Sequence, residues 1–229
     1  MSGTRLIPPH GGYKKLRTYK LGNLIYDATV AFCAQYYDRK DRTYDQMVQA
    51  ARSGVANIIE GSEASATSKK TELKLTNVAK ASQEELLTDY QAFLRQRGLP
   101  EWPADSSAAQ TVRRARPKTL TQLRQLMAAL VADPALGVAQ ASAISPCDLG
   151  SRDCRTCLTK FASFTPRDKS SRKAEVAGNV MLCLINQETY LLGHQITRLA
   201  ADFENESGFT QRPYRERTVA RKKARSDSR

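Results

Sequence analysis

Between residues 172 and 206 the apolar side chains return in steps of three and four: Leu182, Ile185, Thr189, Leu192, Ile196, Leu199 and Phe203. Such spacing draws one seam along an α-helix, whereas a strand would repeat every second residue. Met181, Leu184 and Leu191 add a second apolar strip beside the seam. A stripe this wide buries two sides, one against neighbouring helices of the chain and one against a partner or another part of it. The rest of the fold must therefore supply helices for this one to pack against.

Three earlier segments meet that need. From Lys14 to about Arg39, the residues Leu21, Leu24, Ile25, Ala28, Phe32 and Tyr36 keep helical spacing. Asp41 or Thr43 is placed to cap a second helix, expected from about Thr43 to Glu60 with a stripe of Met47, Ala51, Gly54, Val55, Ile58 and Ile59. Its run of small residues (Ala50, Ala51, Ser53, Gly54, Ala56) lets a neighbouring helix approach closely. Gly61 suits the residue after this helix, where a positive φ spares the clash of a Cβ. Asn57 and Glu60 are then expected to hold the joint by hydrogen bonds, as a structural set with Gly61. Ser65 or Thr67 would cap a third helix with Glu72 in its first turns, and Leu75, Val78, Ala79, Ser82, Leu86, Tyr90 and Phe93 would line its face as far as "RGLPEWP".

From there to about Ser170 the pattern weakens. "TLTQLRQLMAALVAD" predicts one shorter helix from Thr119 to Asp133, inside a stretch of about 70 residues that is long for a plain loop. No strand pattern or internal repeat is present. The expected fold is all-α: an antiparallel four-helix bundle with a long insertion between the third and fourth long helices. The expected parts are a flexible start (1–12), three bundle helices (13–97), the insertion (98–170), the last bundle helix (171–206) and a basic tail (207–229).

Few residues are arranged for catalysis. Of two histidines, His10 lies in the expected flexible start and His194 near the apolar seam, where a packed or surface role explains it. No Glu has a His three residues later, as a bundle di-metal site would require. Neither His offers a nucleophile an evident base, and no phosphate-binding glycine loop is present. Glu84, Glu85 and Asp89 share one arc of the third helix and read as solvated charges. The expectation is a protein that is not an enzyme.

Cys147, Cys154 and Cys157 lie close together in the insertion, and "CRTC" has the Cys-x-x-Cys spacing of half a zinc site. Cys183, Asp148 or Asp153 would have to complete it, and free thiols in a loop are the simpler reading. Cys33 and Cys183 fall on helices, as small core residues. An odd cysteine count without a secretion signal points to thiols or a metal rather than disulfides, and the absence of any long apolar run points to a soluble, cytoplasmic protein without a membrane partner.

Charge says most about partners. The chain has 36 Lys and Arg against 23 Asp and Glu, a net +13 that favours polyanions. The tail carries Arg212, Arg215, Arg217, Arg221, Lys222, Lys223, Arg225 and Arg229 against two acids. Lys14, Lys15, Arg17 and Lys20 open the first helix; Arg39, Lys40 and Arg42 mark the first joint; Arg52 lies on the second helix; Lys69, Lys70 and Lys74 open the third. These are the candidate nucleic-acid contacts, against the alternative of ordinary solvated faces. In an antiparallel bundle the first joint and the start of the third helix lie at opposite ends, so they need not form one patch. Few aromatics accompany the basic residues in sequence, which argues against a base-stacking platform for single strands.

Two blocks carry a family resemblance. In "DQMVQAARSGVANIIEGSEASATSKK…KLTNVAKASQEELLTDY", the residues Gln46, Ala50, Arg52, Ser53, Asn57, Ile58, Glu60, Gly61 and Ser62, then Ala79, Ser82, Glu85 and Leu86, resemble the signature of the four-helix-bundle family encoded in intervening sequences of large-subunit rRNA genes. That family is similar to the accessory variability proteins of diversity-generating retroelements. A second block, Asn179 to Arg217, resembles a longer branch with a C-terminal suffix. The Cys-bearing middle departs from the shorter retroelement proteins. The resemblance implies a basic homopentamer that binds RNA or DNA and a reverse transcriptase and assists mutagenic copying. A protein-interaction scaffold with an acidic partner is the alternative.

Overall fold

The computed structural model describes residues 12–133 and 169–205, and within them every regular element is helical. A 3-10 turn, Gly12–Lys15, leads into α1 (Arg17–Tyr36). Then follow α2 (Arg42–Ala64), α3 (Lys69–Gln96), α4 (Ser107–Ala115), α5 (Leu120–Ala132) and α6 (Lys169–Asn205). The chain is all-α over these residues. α4 is the helix that periodicity does not reveal, because only Ala108, Ala109 and Val112 of its nine residues are buried. The expected flexible start, the cysteines of the insertion and the basic tail lie outside the described residues.

The second joint differs from expectation. α2 continues through Gly61 to Ala64, so Gly61 is a helical residue and not the turn. Its value is closeness: a Cβ there would stand 3.4 Å from Leu75 Cβ and 3.5 Å from the Glu72 carbonyl oxygen. Ser68 caps α3, its hydroxyl accepting from Thr71 N–H, in place of Ser65 or Thr67. Asn57 donates to the Ser53 carbonyl one turn back in its own helix (2.8 Å), and Glu60 is exposed, so neither ties the joint together. Among the described residues the glycine that does take positive φ is Gly98 (61°). There Gly98 N–H bonds to Arg95 O and Leu99 N–H to Leu94 O, the paired closure that ends α3 at "RGLPEWP". The other cap follows expectation, Asp41 accepting from Thr43 N–H at 2.8 Å.

Contacts fix the helix directions. Cys33 of α1 meets Met47 of α2, and a Cβ on Gly22 would meet Val55, so α1 and α2 run oppositely. Gly54 faces Gln83 and Gly61 faces Leu75, which opposes α2 and α3. Gly178 lies against Leu94 and Phe93 while Leu192 clusters with Ala79, which opposes α3 and α6. Thr18 bonds to Gln195 and Gly22 lies against Glu188, which opposes α6 and α1. On the diagonal, Tyr90 of α3 donates to Thr29 Oγ1 of α1 at 3.1 Å, both residues being fully buried. Tyr90→Phe leaves that hydroxyl without its partner and is expected to lower stability by about 1 kcal/mol, read from a thermal melt.

Residues 99–130 join the same core. Leu99, Trp102, Ala108, Val112, Leu123 and Leu130 belong to the hydrophobic cluster that includes Phe32, Phe93 and Ile185. Trp102 is pinned to α6: its backbone N–H donates to Asn179 Oδ1 (2.6 Å) and its indole N–H to Glu175 Oε1 (3.2 Å).

Two polar side chains interrupt the interior without partners among the described residues. Gln83 of α3 sits between the buried Ala79 and Leu86, and Glu188 of α6 between the buried Ile185 and Leu192. Both are fully buried, and the four polar atoms of their side chains have no hydrogen-bond partner among the described residues. Glycines make room for them: a Cβ on Gly54 would overlap Gln83 Nε2, and one on Gly22 would lie 2.6 Å from Glu188 Oε1. Burial alone drives the Glu188 carboxyl well above its usual range, which favours its protonated form.

Candidate nucleic-acid interface

At the start of α1 four cations crowd a helix N-terminus. Lys14, Lys15, Arg17 and Lys20 are all exposed, no acid lies in the first turn, and the N-cap Leu16 offers no side-chain acceptor. The positive end of the helix dipole disfavours such charges by about 0.3–1 kcal/mol each, and the same field favours an incoming anion. Their neighbours come from the middle of the chain. The last turn of α4 carries Arg113 and Arg114, and its C-cap Arg116 is held in the left-handed region (φ 44°) immediately before Pro117. It is the non-glycine residue with positive φ among those described, a conformation that costs of order 1–3 kcal/mol and collects at functional sites.

Lys15, Arg17, Lys20, Arg113 and Arg116 border a cleft made of three hollows that share Arg17. A hollow of about 740 Å³ is bordered by Arg17, Arg113, Arg116, Gln187 and Tyr190, with Glu101 as its one carboxylate on the exposed lining. A second, about 630 Å³, shares Arg17, Arg116 and Gln187 and adds Lys20 and Lys118. A third, about 640 Å³, is bordered by Lys15, Arg17, His194 and Arg198. Arg17 and Leu191 border all three. The ion pairs among the described residues are Lys69–Glu72 and Lys80–Glu84, so the cleft's cations have no carboxylate partner there. Gln187 Nε2 is shielded from solvent without a hydrogen-bond partner among the described residues, an unused donor in the wall.

Comparison with family models, curated proteins and solved structures finds no match to this chain.

The remaining sequence candidates are dispersed. Arg39, Lys40 and Arg42 are exposed at the opposite end, where Arg39 lies 5.4 Å from the Tyr44 ring centroid. Arg52 is exposed on α2. Lys69 is tied to Glu72 at 3.4 Å, while Lys70 and Lys74 are exposed. The helix ends that carry Lys14 and Lys69 share one end of the molecule, because Leu16 packs on the cluster of Ile58, Ala79 and Leu192. Arg212, Arg215, Arg217, Arg221, Lys222 and Lys223 lie outside the described residues, as do Cys147, Cys154 and Cys157. Among the described residues no group of three His, Cys, Asp or Glu is placed to hold a metal. No described helix is long and apolar enough to cross a membrane.

Sequence reasoning missed Arg113, Arg116, Lys118 and Arg198. A signal was there to find: between Asp105 and Asp133 the chain carries Arg113, Arg114, Arg116, Lys118 and Arg124 with no acid. His194 is exposed, and its ring stands edge-on to Tyr190 with centroids 4.4 Å apart. Of the carboxylates on α3, Glu84 pairs with Lys80, while Asp89 is raised from its usual range by burial first and by Glu85 second.

Proposed function

We propose that the chain is a non-catalytic, oligomeric nucleic-acid-binding accessory protein that acts with a reverse transcriptase in mutagenic retrohoming of a diversity-generating retroelement. In this reading α1, α2, α3 and α6 are the four members of an antiparallel bundle, residues 98–170 are its insertion, and five copies assemble. The observation that carries the binding role is the cleft, where Arg17, Lys20, Arg113, Arg116 and Lys118 converge without ion-pair partners among the described residues. Phosphates recruit such a surface by releasing condensed counterions, and repeated copies add effective concentration. The retroelement setting rests on the resemblance of residues 45–90 and 179–217.

The test is a salt titration with labelled RNA and DNA, beside a mass measurement of the same sample. If five phosphates are engaged, affinity falls between 50 and 200 mM salt by about 100-fold for a single strand and about 500-fold for a duplex. Replacing Arg17, Arg113 and Arg116 together by Gln flattens that slope. Salt-independent affinity, or no binding at 50 mM salt, removes the nucleic-acid role, and a monomeric mass removes the assembly.

A further inference from the structure

The sequence places few aromatic residues among the basic clusters, Tyr13 and Tyr19 beside Lys14 to Lys20 being half-buried and edge-on to each other, but the fold brings an open one there from a distant segment. Tyr190 is 66% exposed, the most open of the large apolar side chains described, and it borders the same hollow as Arg17, Arg113 and Arg116. Tyrosine, with an apolar ring and a polar tip, is enriched at interfaces. His194, one turn later on α6, stands edge-on to it and restricts the ring's freedom. Asn186, one turn earlier, is exposed on the same hollow, and Gln187 lends it the unused amide donor.

We propose that this cleft seats an unpaired base of a single-stranded nucleic acid on Tyr190, while Arg17, Arg113 and Arg116 take the phosphates on either side. The proposal rests on the nucleic-acid role above and specifies its ligand as single-stranded. Three features favour that occupant. Cations line the hollow with one carboxylate at its edge, which complements a phosphodiester chain. At about 740 Å³ the hollow has the size of a small-ligand pocket, suited to one nucleotide unit. And the open ring sits beside the cations, the pairing that binds single strands with tolerance for sequence, since every base has a π-face and a duplex keeps those faces stacked inside. Asn186 and Gln187 then face the base edge.

The full chain is titrated at low salt with a short single-stranded RNA, the same strand as DNA, and the matching duplexes, read by fluorescence anisotropy. Single strands are expected to bind more tightly than duplexes. Tyr190→Ala weakens the single strand by about 10-fold and leaves duplex affinity unchanged, whereas Tyr190→Phe keeps wild-type affinity. A 2-aminopurine in the strand is quenched by the wild type and not by Tyr190→Ala. Equal affinity for strand and duplex with no effect of Tyr190→Ala overturns the base seat and leaves the nucleic-acid role standing. If Tyr190→Phe is as weak as Tyr190→Ala, the hydroxyl and not the ring is at work, and stacking is refuted. A change in oligomeric mass on Tyr190→Ala makes the ring a contact between copies and overturns the proposal. Absence of binding to every probe removes the role itself.

Discussion

Glu188→Gln is expected to raise the melting temperature at pH 8 and to leave it nearly unchanged at pH 4. The carboxyl is fully buried on α6, against Gly22 of α1, and burial holds it well above the ordinary value of 4.5. In acid both the folded and the unfolded chain keep the proton, so Glu and its amide analogue behave alike. As pH rises past the ordinary carboxyl range the unfolded chain releases the proton and the folded chain does not. Each further pH unit then favours unfolding by about 1.4 kcal/mol, until the folded carboxyl also ionises. Gln has no proton to lose, so the gap between the two proteins opens with pH. Melts of both from pH 4 to pH 8 check this; parallel profiles mean that the carboxylate is already charged and paired inside the fold.

Phe93→Ala is expected to cost about 3–5 kcal/mol, a fall in melting temperature on the order of 10 °C. Phe93 is fully buried where α1, α3 and α6 meet. Its ring centroid lies 4.7 Å from Phe32, 5.2 Å from Tyr36 and 6.0 Å from Tyr37, and the Arg97 guanidinium stands 4.0 Å above it. Truncation removes one side of every one of these contacts, and the cavity cannot close without shifting Leu94 and Gly178. Denaturant unfolding supplies the check, with a lower midpoint and an unchanged slope. A midpoint within experimental error of wild type means that the cluster repacks and that its ring geometry is not limiting.

The long helices were legible because burial imposes a period, and the period survives local exceptions. α6 shows this: Leu182, Ile185, Leu192 and Leu199 of the expected seam are all buried. The errors arise where the period carries no information. Gly61 and Gly98 look alike in sequence, yet one permits a close approach inside a helix and the other takes the left-handed turn. Val78 falls within the expected stripe of α3 and is 40% exposed, while the polar Gln83 occupies the core beside it. Gln83 and Glu188 are hidden from pattern reading because a polar residue on a buried face is indistinguishable from noise until its neighbours are known. The cleft is harder still. Arg17, Arg113, Arg116 and Tyr190 come from three helices and a cap, and only the packing of α1 and α4 on α6 makes them one surface.

Arg172, near the start of α6, reaches back to the end of α5. Its guanidinium donates to the carbonyl oxygens of Leu130 (3.2 Å), Val131 (3.0 Å) and Asp133 (2.6 Å). One side chain thus satisfies the last carbonyls of one helix and staples that point to the beginning of the next. The end of α5 and the first turn of α6 are thereby held within hydrogen-bond reach of each other. Since closure entropy grows only slowly with the length of chain closed, holding Asp133 beside Arg172 makes the pairing of α5 with α6 depend little on how many residues separate them in sequence.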